Sequence, residues 1–107
     1  MNNVLKEEVL KNRDDLIEGT FCYSLFEDSL FECSLLEELI DNCILLTKEN
    51  GSDSELKDFL SWMVNCIDQC FSSHKDESDL YTIRNYSPEL ERQWTNVWRP
   101  KISEMNN

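Results

Sequence analysis

The 107-residue chain reads as one all-α domain spanning 1–107, a compact bundle of about five to seven helices, and three observations carry that expectation. Apolar residues recur at helical spacing: Leu56, Phe59, Leu60, Met63, Val64, Ile67, Cys70 and Phe71 follow i, i+3, i+4, i+7 over about four turns. The only glycines (Gly19, Gly51) and prolines (Pro88, Pro100) stand where helices would begin or end. Helix-start signatures also repeat. Ser34-Leu35-Leu36-Glu37 and Ser52-Asp53-Ser54-Glu55 match the capping box, in which the serine oxygen takes the N3 amide and the glutamate reaches back to the cap amide.

Taken in order, residues 3–18 predict a first helix with Leu5, Val9, Leu16 and Ile17 on one stripe, ended by Gly19, which tolerates positive φ. Thr20 can cap a second segment that turns Phe21, Leu25, Phe26 and Leu30 inward. From Ser34 a third helix buries Leu36, Leu39, Ile40, Cys43 and Ile44 and stops at Asn50-Gly51. The second capping box opens the strongest helix, Leu56 to Phe71, predicted to be the most buried element, with Trp62 beside its core stripe. Residues 72–79 are polar and read as a loop, and Leu80-Tyr81-Thr82-Ile83 fits either a short helix or a short strand. Ser87-Pro88-Glu89 supplies an N-cap, a proline at N1 and a first-turn acid. The helix it opens turns Leu90, Trp94, Val97 and Trp98 inward and ends at Pro100. The three tryptophans suit core positions, with room for one or two interface anchors among them and Tyr23, Tyr81 and Tyr86.

Composition bounds the function. A hydrophobic content of 40% can build a core, and the regular spacing of Leu, Ile, Phe and Trp argues against disorder despite a net charge of −12. No apolar run approaches membrane-spanning length, and Met1 to Lys11 has neither a basic start nor an apolar stretch, so a cytoplasmic chain is expected. The five cysteines (Cys22, Cys33, Cys43, Cys66, Cys70) are odd in number and read as reduced thiols packing as small hydrophobes. A pI near 4.3 opposes direct binding of nucleic acid, which relies on Lys and Arg, and of anionic membranes.

Catalytic and metal chemistry find little to work with. His74 is the only histidine, it falls in the expected polar loop, and it suits the dipole of a nearby helix end. Cys66-x3-Cys70-x3-His74 places its outer members about 12 Å apart along a continuous helix, too far for one zinc ion unless the chain unwinds near Ser72-Ser73. Glu37, Glu38 and Asp41 lack the alternating pattern of a calcium loop, and the two glycines are too far apart for a phosphate loop. Neither an enzyme, a metal nor a cofactor is expected.

The dominant feature is electrostatic. Between Asp14 and Thr47 the chain carries nine carboxylates (Asp14, Asp15, Glu18, Glu27, Asp28, Glu32, Glu37, Glu38, Asp41) and no Lys or Arg. Solvated faces normally mix both signs, because like charges one turn apart destabilise a helix by roughly 0.2–0.5 kcal/mol per pair. On a helical reading Asp14/Glu18, Asp28/Glu32 and Glu37/Asp41 are such pairs. Asp14, Asp15 and Glu18 would also oppose the negative end of the first helix by about 0.3–1 kcal/mol each. Glu37 and Glu38, near a helix start, can be structural. Repulsion kept across 34 consecutive positions points to a cationic partner bound by these nine residues.

In size, charge and helicity the whole chain resembles the immunity proteins that bacteria make against their own nuclease toxins, of bacteriocin or contact-dependent-inhibition type. The resemblance implies an antitoxin, monomeric before binding, whose acidic surface blocks the cationic active site of a ribonuclease toxin domain by occupying the place of RNA. Two alternatives stay open: an acidic adaptor or regulatory protein docking a basic partner, which needs an exposed apolar groove, and a nucleic-acid mimic, which needs carboxylates spaced like duplex phosphates.

Overall fold

A computed structural model describes residues 3–14, 17–50 and 53–105, with the side chains of Asn3 and Asn50 excepted. Its elements are α1 (Asn3–Leu10), a 3-10 turn (Lys11–Arg13), α2 (Phe21–Phe26), α3 (Cys33–Asn50), α4 (Ser54–Lys75), α5 (Pro88–Gln93), a π-helical stretch (Trp94–Trp98) and α6 (Arg99–Met105). Among the described residues there is no strand, and the all-α expectation is met. One hydrophobic cluster draws side chains from every helix, and the radius of gyration of 13.8 Å is close to the roughly 13 Å of a compact chain this long. No helix among the described residues is long and apolar enough to cross a membrane.

The first helix is shorter than its apolar pattern predicts, because Asn12 interrupts it. The buried Asn12 side chain donates through Nδ2 to the Val9 carbonyl at 3.0 Å, and its Oδ1 accepts the backbone N–H of Cys22 at 3.1 Å. One amide thus satisfies a carbonyl at the end of α1 and a donor in the first turn of α2. The backbone is extended at Asp14, with φ −101° and ψ 107°. Leu16 lies outside the described residues. Gly19 does adopt positive φ, 89°, but in the turn preceding α2 rather than at a helix end. Thr20 caps α2 as expected, its hydroxyl oxygen accepting the Tyr23 N–H at 3.1 Å.

The first capping box does not form where its serine stands. Helix α3 already includes Cys33, and Leu36 N–H donates to the Glu32 carbonyl, so Ser34 sits inside the first turn. The chain is pinned just ahead of this start, where the Asn85 side chain pairs with both backbone groups of Phe31, at 2.9 and 2.8 Å. At α4 the cap is Asp53, whose Oδ1 accepts from Glu55 N–H and Leu56 N–H; Gly51 and Ser52 lie outside the described residues. Lys6 reaches the cap residue Asp53 at 2.9 Å and Glu55 at 3.0 Å, tying α1 to α4.

Helix α4 is the longest element and carries most of its predicted stripe: Leu56, Phe59, Leu60, Met63, Ile67 and Phe71 are buried, Val64 and Cys70 half-buried. It runs on to Lys75, so the expected loop at residues 72–79 begins only at Asp76. Leu80 to Ile83 forms neither helix nor strand. That segment is held from outside: Tyr81 Oη donates to the Leu25 carbonyl at 2.6 Å, and Ile83 N–H donates to His74 Nδ1 at 2.9 Å.

Ser87 caps α5 with Pro88 at N1, as read. Pro100 does not end the last helix, which continues to Met105. A proline inside a helix lacks its N–H and collides with the preceding turn. Here the turn before it is π-helical, Arg99 N–H bonding back to the Trp94 carbonyl, and the wider turn makes room for the ring. The same widening turns Val97 outward, contrary to its predicted inward place, while Trp94 and Trp98 stay buried. Phe31 lies in the link between α2 and α3 and is missing from every predicted helical stripe. It packs against Phe21, Phe71 and Trp98 at ring-centroid distances of 5.1, 5.8 and 5.7 Å.

Candidate partner-binding surface

The acid block does not sit on one helix. Asp14 is exposed at the end of the 3-10 turn, Glu18 is exposed in the turn before Gly19, and Asp15 lies outside the described residues. Because the helical chain stops at Arg13, Asp14 and Glu18 are not a helical pair; Asp14 follows the 3-10 turn as its C-cap, while Glu18 lies beyond it, so the expected dipole penalty does not extend to Glu18. Asp28 and Glu32 belong to the link between α2 and α3 and are not a helical pair either. Only Glu37/Asp41 stands one turn apart on a helix, on the exposed side of α3 with Glu38.

What tertiary structure assembles instead are two groups. Glu18, Glu27 and Asp28 converge on Tyr23: partial desolvation, then the carboxylates of Glu18, Asp28 and Glu27, hold its phenol above the ordinary tyrosine value. Burial, then the charge of Glu37 and more weakly of Glu32, likewise raises the Cys33 thiol. Glu38 points elsewhere, into a cleft of about 360 Å³ between α1, α2 and α3, opposite Glu8.

Ion pairing divides the acids of the molecule: five outside the block are neutralised, while others outside it, such as Glu49, Asp58, Glu77 and Glu89, form no ion pair among the described residues. The ion pairs of the structure include Lys6 with Asp53 and Glu55, Lys11 with Glu8, Lys75 with Glu91, and Arg99 with Asp68. Among the described residues, Glu18, Glu27, Asp28, Glu32, Glu37, Glu38 and Asp41 form none. A cation reaches into the block: the Arg84 guanidinium donates to the backbone carbonyl of Asp28 at 3.3 Å. Arg13, at the edge of the block, lies over the Trp62 ring at 5.8 Å. Sequence spacing had no means of finding Arg84 or Glu8 as neighbours of these acids, whereas Tyr23 stands one helical turn before Glu27 and was within its reach; Glu8 lies outside the block, between Lys6 and Lys11.

Other chemistry is spatially dispersed. Cys66, Cys70 and His74 lie on one unbroken helix, and His74 is engaged through Nδ1 with Ile83 while its ring stacks on Tyr86 at 4.1 Å. His74 therefore belongs to the last turn of α4, not to a loop. Among the described residues no group of three His, Cys, Asp or Glu is arranged to hold a metal ion. All five cysteines are free thiols; burial pushes Cys43 up to about 12 and Cys22 higher still, which leaves both poor nucleophiles. No protein-family model, no curated protein and no solved structure matches the chain.

Proposed function

We propose that this chain is an inhibitor of the immunity type, binding a cationic ribonuclease toxin domain through the surface formed by Asp14, Glu18, Glu27, Asp28, Glu32, Glu37, Glu38 and Asp41, with Asp15 beside them in the chain. The observation that carries the reading is that seven of these carboxylates have no cation of their own within the described residues. Unbalanced negative charge raises the free energy of the fold by self-repulsion, and docking against a positive surface relieves that repulsion. A ribonuclease groove is positive because it holds phosphates, so a rigid anionic face competes with RNA for it without any chemistry. Steering raises association toward about 10⁸–10⁹ M⁻¹s⁻¹ at low salt.

The test begins with the product of the reading frame next to this one in its genome. That protein is expected to cleave RNA alone, to be silenced by a stoichiometric amount of this chain, and to bind more slowly as salt rises. Reversing Glu27, Asp28 and Glu37 to lysine is expected to slow association and abolish protection while leaving the circular dichroism spectrum unchanged. A neighbour that binds without any nuclease activity favours the adaptor reading. Association unaffected by the triple reversal at low salt rules out this surface.

A further inference from the structure

We infer that the cleft between α1, α2 and α3 receives one arginine side chain of the partner, an inference that rests on reading the acidic surface as a docking face for a cationic protein. The cleft encloses about 360 Å³ and combines two chemistries. Leu5 and Leu35, both half-buried, offer aliphatic surface, while Glu8 from α1 and Glu38 with Asn42 from α3 offer oxygen acceptors. That combination suits a side chain with a methylene stem and a cationic head. An anion is repelled by the two carboxylates, and a purely apolar group would desolvate them without replacing the water they lose.

Arginine fits better than lysine. Its planar guanidinium carries five donors and is weakly hydrated, so it can serve carboxylates presented by two different helices, whereas an ammonium is a compact and strongly hydrated point charge. Glu38 has no ion pair or side-chain hydrogen bond among the described residues, and Glu8 holds only Lys11 in an exposed pair at 2.7 Å, which an incoming guanidinium can displace. The walls are also preformed. Buried Asn12, which lines the cleft, clamps the end of α1 to the start of α2 through Val9 and Cys22, so little ordering is left for binding to accomplish.

The experiment titrates the uniformly ¹⁵N-labelled full chain with acetyl-Gly-Arg-Gly-amide at low ionic strength, with the lysine and citrulline peptides as controls. Saturable amide shifts are expected at Thr20, Glu38 and Asn42, weaker with lysine and absent with neutral citrulline. Glu38→Gln is expected to weaken the arginine peptide by about tenfold and Glu77→Gln to leave it unchanged, both with the wild-type thermal midpoint since both side chains are exposed. Shifts that scatter over Glu27, Asp28, Glu37 and Asp41 without saturating overturn the proposal, as do equal losses in the two glutamine variants or equal binding of lysine. The peptide titration involves no nuclease. Failure of the cleft therefore leaves the acidic-surface reading standing, and a filled cleft in a protein that inhibits no nuclease sinks the reading alone.

Discussion

The carboxylates between Asp14 and Asp41 and three later ones, Asp53, Asp68 and Glu91, are the same chemical groups put to opposite uses. In the later region Asp53 caps α4 and holds Lys6, and Glu91 accepts from Tyr86 Oη and Lys75. Asp68 accepts the Trp94 indole N–H at 2.8 Å and a two-pronged contact from Arg99. Each ties one segment to another. In the earlier region, Glu27, Glu37, Glu38 and Asp41 are exposed and hold no cation among the described residues. The difference teaches that net charge says little by itself: a charge that has found its partner inside the molecule contributes to the fold, and one that has not contributes a field.

The comparison requires that the unneutralised acids ride on a fixed scaffold, and the hardest way to break it is to remove that scaffold. Phe31→Ala takes away the ring on which Phe21, Phe71 and Trp98 meet, beside the link that carries Asp28 and Glu32. A loss of about 3–5 kcal/mol is expected from urea unfolding followed by circular dichroism, with the acidic surface losing its partner as a consequence.

Asp68→Ala attacks the other side of the contrast. It leaves a buried indole N–H without an acceptor and Arg99 without its carboxylate, for an expected cost of about 1–3 kcal/mol. If it costs no more than Glu27→Gln, expected to lie within about 0.5 kcal/mol of wild type, the division between structural and field-making acids collapses.

Asp53→Ala removes the α4 cap and is expected to cost about 0.5–2 kcal/mol. Its pH dependence sharpens the point. The hydrogen bond from Lys6, then that from the Leu56 amide, holds the Asp53 carboxyl below its ordinary value. A depressed folded pKa means stability fully present above the unfolded value near 3.9 and lost as pH falls through the folded one. Denaturation midpoints of wild type and Asp53→Ala are therefore expected to differ most at neutral pH and to converge on acidification.

The smallest effect lies within the block. Asp41→Lys replaces the like-charge contacts of Asp41 with Glu37 and Glu38, four and three residues before it on α3, with attractions and is expected to stabilise the fold by about 0.2–0.5 kcal/mol per pair while weakening the binding of a cationic partner. Stability and binding moving in opposite directions is the signature of charge kept for function; both falling together would mark Asp41 as structural.

The helical spacing of apolar residues, the Thr20 and Ser87 caps and the apolar stripe of α4 from Leu56 to Phe71 were determined by the sequence itself, because helix starts and amphipathic faces depend on residues within four positions of one another. The acid block was equally legible, as charge. Tertiary structure alone decided the rest, because the deciding partners are remote in the chain. Asn12 ends α1 through a bond ten residues away, and Asn85 sets the entry to α3 from 54 residues away. Pro100 survives inside a helix through a π-turn in which Trp94 and Trp98 both remain in the core. The candidate surface divides the same way: nine acids could be counted along the chain, and Glu27 beside Tyr23 or the acids along α3 are helical neighbours, but the approach of Glu18 to Tyr23 and of Glu38 to the cleft it shares with Glu8 arises only where separate segments pack together.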